Sequence, residues 1–154
     1  MNFRSFVTFA VFVATALGEQ PILFPHNRHM ALGLACLDCH STADQQAAAG
    51  IPSVRKCMLC HAKLAVNKPG VQKVRAYAAQ GVEIPWERVY RFSSTALVRF
   101  RHAPHFHAGI DCATCHGDVA QTTVAVLAVK HNMGTCLTCH RRYKATEDCA
   151  ACHF

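Results

Sequence analysis

The stretch Phe100-Arg-His-Ala-Pro-His-Phe-His-Ala-Gly-Ile-Asp-Cys-Ala-Thr-Cys-His116 decides how the rest of the chain is read. It ends in a C-x-x-C-H run, Cys112 to His116, which is the spacing of a c-type haem attachment site. Two thiols at that spacing can add to the two vinyl groups of one porphyrin, and the next residue, His116, then reaches the iron from one face. His102 and His105 stand upstream, placed to meet an iron from the opposite face.

Comparing the chain with itself finds the same pattern earlier. Phe24-Pro-His26-Asn-Arg-His29 precedes Cys36-Leu-Asp-Cys39-His40. His29 lies seven residues before Cys36, as His105 lies before Cys112, and His26 and His102 each lie ten residues before those cysteines. The two copies, residues 24–40 and 100–116, are offset by 76 residues.

All ten cysteines fall in C-x-x-C-H runs: Cys36 and Cys39, Cys57 and Cys60, Cys112 and Cys115, Cys136 and Cys139, Cys149 and Cys152. Histidines 40, 61, 116, 140 and 153 close the runs as proximal ligands. No cysteine is left over for a disulfide. Zinc sites and thiol-redox motifs also use C-x-x-C, but five complete copies that consume every cysteine point to five covalently bound haem c groups. With 154 residues for five motifs, the chain has too little material for a conventional core around each one. The expected fold is mostly irregular and small-α, with short helices and loops wrapped around stacked haems and little or no sheet. Apoprotein is expected to be largely unfolded, since the ligands are also the core.

The formal net charge of +7 fits the same picture. Each haem brings two propionates for lysine and arginine to offset. A basic block with interleaved aromatics is missing, so nucleic acid is not an expected partner.

Residues 1–18 read as a cleaved signal peptide: Arg4, an apolar run from Phe6 to Leu17, and Ala16-Leu17-Gly18 before Glu19. Residues 19–154 then form one exported domain, periplasmic or otherwise extracytoplasmic. That domain has no later run of about 18 apolar residues, so no transmembrane segment is expected in the mature chain.

Several local elements follow from pattern. Ser41–Gly50 reads as a short surface helix. Ser53 is placed to cap a helix bearing Cys57–His61, and Asn67–Gly70 reads as a turn. Val71–Gln80 has helical spacing and is ended by Gly81. Ile84–Tyr90 reads as extended, with Trp86 and Tyr90 covering porphyrin. Thr122–Val129 is a short strand or a buried turn of helix.

Eleven histidines less five proximal ones leave six: His26, His29, His102, His105, His107 and His131. Five six-coordinate irons need five distal ligands, which is the pattern of low-spin electron carriers rather than of an enzyme with an open iron position. His26, His29, His102 and His105 are the repeat-matched candidates. His107 has no counterpart, since Ala31 occupies its place in the first copy, and it reads as a surface residue. The fifth distal ligand is His131, with Met133 as the alternative. Met30 and Met58 read as packing residues. No side chain is singled out as catalytic.

The Phe-x-His-x-x-His element ahead of C-x-x-C-H resembles the class III multihaem cytochromes. More narrowly, Ile51-Pro52-Ser53, Ile84-Pro85-Trp86-Glu87-Arg88-Val89-Tyr90, the 100–117 stretch and Met133-Gly134 resemble the pentahaem cytochrome subunit of alternative complex III. That resemblance implies electron relay from a membrane quinol-oxidising complex towards a periplasmic acceptor. It also implies that His26 and His102 serve the nearby haem and that His29 and His105 serve one further away. A free periplasmic shuttle, an extracellular filament cytochrome and a multihaem reductase are the rival expectations.

Overall fold

The computed structural model describes residues 20–154, so the signal-peptide reading of residues 1–18 lies outside the described residues. Eight short helices follow in order: α1 (His26–Met30), α2 (Cys36–Cys39), α3 (Val54–His61), α4 (Pro69–Gln80), α5 (His102–His107), α6 (Cys112–His116), α7 (Met133–Tyr143) and α8 (Cys149–Cys152). Two single 3-10 turns, Ser94–Ala96 and Val119–Gln121, complete the regular structure. Among the described residues there is no strand, only an isolated antiparallel bridge between Val98 and His153. The expected small-α, largely irregular architecture is what is found.

The fold buries very little of itself. Among the described residues only Ile22, Val54, Val74, Ile84 and Ala103 are buried. The first four form one cluster where α3 packs on α4, edged by Cys57, Met58, Tyr77, Ala78 and Trp86. Large apolar side chains elsewhere stay open: Leu32 is 78% exposed and Leu59 70%. A chain this length normally hides far more apolar area.

Helix ends follow local chemistry. Ser53 caps α3 through its hydroxyl, which accepts from the Lys56 amide at 3.3 Å. Pro69 opens α4 at its first position, so the expected turn at Asn67–Gly70 is half absorbed into that helix. Gly81 ends α4 in the left-handed region, φ 68°.

Residues 41–50 are a looped turn, not the expected helix. The Thr42 hydroxyl donates to the Ala48 carbonyl. The Gln46 and Ala47 carbonyls accept from the Ala103 and His102 amides of α5, which removes them from any helical ladder. Thr122–Val129 is likewise neither strand nor helix. The amides of Ala128 and Val129 donate to the Tyr90 hydroxyl at 3.0 and 3.2 Å instead of to a neighbouring backbone.

Candidate haem-binding sites

Each of the five C-x-x-C-H runs lies on or against a short helix, so its two cysteines sit three residues apart on one face. The caps that start these helices are local. Asp111 accepts from the Ala113 amide at 2.7 Å ahead of α6, and Asp148 accepts from the Ala150 amide at 3.1 Å ahead of α8. Asn132 and Thr135 exchange bonds at the start of α7. All ten thiols are free and at least partly accessible. Burial raises the thiol pKa of Cys39, Cys57, Cys112, Cys115 and Cys136, which keeps them as thiols.

The histidine rings are arranged for metal. In seven of them Nδ1 donates to a backbone carbonyl: His29 to Pro25, His40 to Gly50, His61 to Leu64, His102 to Ala47, His105 to Arg101, His140 to Thr146 and His153 to Ala96. A ring held this way carries its proton on Nδ1 and offers the Nε2 lone pair, which is how metal-bound imidazoles are oriented.

The rings also meet in pairs. His29 and His61 have centres 6.1 Å apart, His102 and His116 6.3 Å, and His105 and His140 6.0 Å. Two imidazoles on opposite sides of one metal, each nitrogen about 2 Å from it and each ring centre about 1 Å further back, stand about 6 Å apart. The three separations therefore leave room for one six-coordinate iron each. His26 is paired less directly. Burial lowers its pKa first, followed by the charges of His40 and His29, and its buried Nδ1 has no hydrogen-bond partner among the described residues. Burial also lowers the pKa of His116, with His102, His131 and His40 next in effect. The neutral imidazole favoured in both cases is the form that binds metal.

Phenylalanine sets these pairs. The Phe24 ring lies 4.8 Å from His26 and stacks on His29 at 4.4 Å, while Phe100 lies 4.9 Å from His102 and 4.8 Å from His105. Each copy of the repeat is thus a small unit in which one aromatic ring fixes two histidines on one short helix.

The remaining candidates stand apart. Nε2 of His131 donates to the Cys115 carbonyl at 2.9 Å, and its ring packs 5.3 Å from Tyr90. That places His131 beside the third motif and uses the nitrogen a ligand would need. Met133 is 67% exposed at the first position of α7. His107 is exposed against Phe106. Trp86 packs on the apolar cluster and Phe24. Sequence reasoning gave Tyr90 only a covering role, whereas its ring lies 4.6 Å from His116 and its hydroxyl gathers three backbone partners, donating to the His116 carbonyl at 3.3 Å. Nothing in the local sequence pattern signals that bridge.

The arrangement agrees with known proteins. A family model described as the class III cytochrome c family matches residues 11–82. The multihaem cytochrome c subunit of menaquinone reductase from Nitratidesulfovibrio vulgaris is 33% identical over 119 residues, which is 70% of this chain and 56% of that protein. The chain thus spans a little over half the length of that relative. Attachment motifs, ring pairs with free Nε2 atoms and a nearly absent protein core converge with these matches, and the chain is similar to the class III multihaem cytochromes c, electron-transfer proteins with covalently bound haem.

Proposed function

We propose that the chain is an extracytoplasmic pentahaem cytochrome that relays single electrons between a quinol-oxidising membrane complex and a downstream acceptor. The observation that carries this reading is the set of facing histidine rings at 6.0–6.3 Å. Haem c, when bound, supplies one-electron chemistry at iron. The protein would hold each group by two cysteines and orient the histidines for it through backbone carbonyls.

We read three ligand sets from the facing rings and the other two by elimination. His40 and His26, His61 and His29, His116 and His102, and His140 and His105 serve the first four motifs. His153 serves the fifth. Opposite His153 the choice lies between His131 and Met133. The bond from His131 Nε2 to Cys115 weighs against His131, so we assign Met133. A methionine there raises that group's potential relative to the bis-histidine ones.

No side chain is assigned to bond making or proton transfer, and the protein is read as a carrier rather than an enzyme. Association with a quinone-linked redox complex is supported by the relative's name, which describes quinone reduction, and by the resemblance of residues 84–90 to the alternative complex III subunit, which implies quinol oxidation. Among the described residues no helix is long and apolar enough to cross a membrane. Two measurements test the proposal. A pyridine haemochrome assay should give five haems per chain. A native gel of separated fractions, stained for haem, should show the protein in a large detergent-solubilised membrane complex. A small soluble band would replace the complex with a diffusing shuttle.

A further inference from the structure

Four of the five proximal rings are held alike. Nδ1 of His40, His61, His140 and His153 donates to the carbonyls of Gly50, Leu64, Thr146 and Ala96 in turn. Nδ1 of His116 makes no such bond among the described residues. Tyr90 stands against that ring instead, with centres 4.6 Å apart and planes at 79°, an edge-to-face contact that resists turning of either ring. The Tyr90 hydroxyl donates to the His116 carbonyl at 3.3 Å and accepts from the Ala128 and Val129 amides at 3.0 and 3.2 Å. One hydroxyl thereby ties the end of α6 to segment 128–129, and the Tyr90 ring cannot swing away without breaking those bonds. His131 closes the same clamp, since its Nε2 donates to the Cys115 carbonyl at 2.9 Å and its ring lies 5.3 Å from Tyr90.

The facing pairs differ in the same respect. His29 and His61, both held by carbonyls, cross at 78°, and His105 and His140, also both held by carbonyls, cross at 50°. His102 and His116 lie within 5° of parallel. His102 is fixed by the Ala47 carbonyl at 2.8 Å and by the edge of Phe100 at 4.9 Å, so the plane of His116 decides the angle. Resting on the relay reading, we propose that Tyr90 is a positioning residue for the third site, holding the His116 imidazole parallel to that of His102 and so giving that iron an electronic character distinct from the second and fourth. Parallel axial imidazoles donate π density into the same iron d orbital and separate it in energy from its partner, whereas crossed rings leave the two orbitals close. A low-spin ferric iron then gives a rhombic paramagnetic resonance signal in the first case and a strongly anisotropic one in the second. Axial ligation is one of the levers by which a protein tunes a haem, and here the lever is the set of a ring plane.

The test is electron paramagnetic resonance of the fully loaded, oxidised protein. The low-spin signal lost in His102→Ala identifies the third haem, and in the unaltered chain it should be rhombic. Tyr90→Leu, which removes the ring edge, should replace that signal by a strongly anisotropic one. Tyr90→Phe, which keeps the ring but not its anchor, should shift it part of the way. The other low-spin signals and the haem content by pyridine haemochrome should stay as they are. If the signal lost in His102→Ala is already strongly anisotropic, or is unaltered in either Tyr90 variant, the proposal is wrong. If the signals of all the haems move together, Tyr90 merely holds the fold and the proposal again fails. Should Tyr90→Leu not load with haem, Tyr90→Phe decides by itself. Unaltered protein without attached haem would bring down the relay reading, and this proposal with it; attached haem with no rhombic third signal brings down this proposal alone.

Discussion

His102 and His116 lie with their ring planes only 5° apart and their centres 6.3 Å apart, across a gap sized for one metal ion. The pair spans fourteen positions of sequence, yet α5 and α6 are joined so that both rings point into one space. His105, one turn along α5, reaches a different partner, His140 on α7, at 6.0 Å. A single six-residue helix therefore presents imidazoles to two different histidine partners.

Removing one of those imidazoles should disable one site only. His105→Ala should convert one haem per chain from low to high spin, seen in electron paramagnetic resonance and in the visible spectrum, with haem stoichiometry unchanged. Haem attachment through Cys136 and Cys139 does not need the distal ring. If all haems stay low-spin, His105 is not the ligand facing His140.

His131 and Met133 can be separated by the same readout. The His131 ring is occupied by the Cys115 carbonyl and by Tyr90. His131→Ala should leave every iron six-coordinate, while Met133→Ala should create one high-spin haem. The opposite result restores His131 as the fifth distal ligand.

What was legible in the sequence was whatever is written locally. The Ser53 cap, the α4 helix ended by Gly81 and the two Phe-x-His-x-x-His units all depend on residues a few positions apart. The 41–50 helix failed because carbonyls of Gln46 and Ala47 serve α5, 55 and more residues away, and no window of local periodicity contains that competition. Tyr90 was underestimated for the same reason. Its hydroxyl bridges residues 116, 128 and 129.

Glu83 supplies a measurable prop to the second motif. Its carboxylate accepts from the Val54 amide at 2.7 Å, at the first residue of α3, where helix amides lack partners. Glu83→Ala removes a charge-assisted bond and a favourable charge at a helix start. The expected loss is about 1–2 kcal/mol in denaturant unfolding of the loaded protein. An unchanged midpoint would mean solvent satisfies that amide equally well.

Two glycines should respond differently to alanine. Gly81 has φ 68° and ψ 25°, and a Cβ there meets nothing within 4 Å. Gly81→Ala should cost about 1–2 kcal/mol, the ordinary left-handed penalty. Gly117 has φ 68° with ψ −171°, a region essentially reserved for glycine. A Cβ there would stand 2.6 Å from the Ala128 Cβ. Gly117→Ala should therefore cost distinctly more than Gly81→Ala in the same unfolding assay, and should loosen the Tyr90 bridge to Ala128. Equal costs would mean that segment 128–131 gives way freely.

The sparse core carries the broadest expectation. With Ile22, Val54, Val74 and Ile84 as the only buried cluster among the described residues, apolar burial by the polypeptide centres on the α3–α4 hairpin and the segments that pack on it. The α5–α7 region has only Ala103 buried. Its rings face one another across gaps of 6.0–6.3 Å between centres, and neutral imidazoles that touch nothing across such a gap repay little of the entropy lost in ordering them. Protein made without haem attachment should show residual helix at α3 and α4 alone, with no cooperative thermal transition by circular dichroism. Hydrogen exchange should find slow amides, if anywhere, between residues 54 and 80. A sharp transition involving residues 100–143 in such protein would show that the histidine-bearing helices fold without the groups they hold.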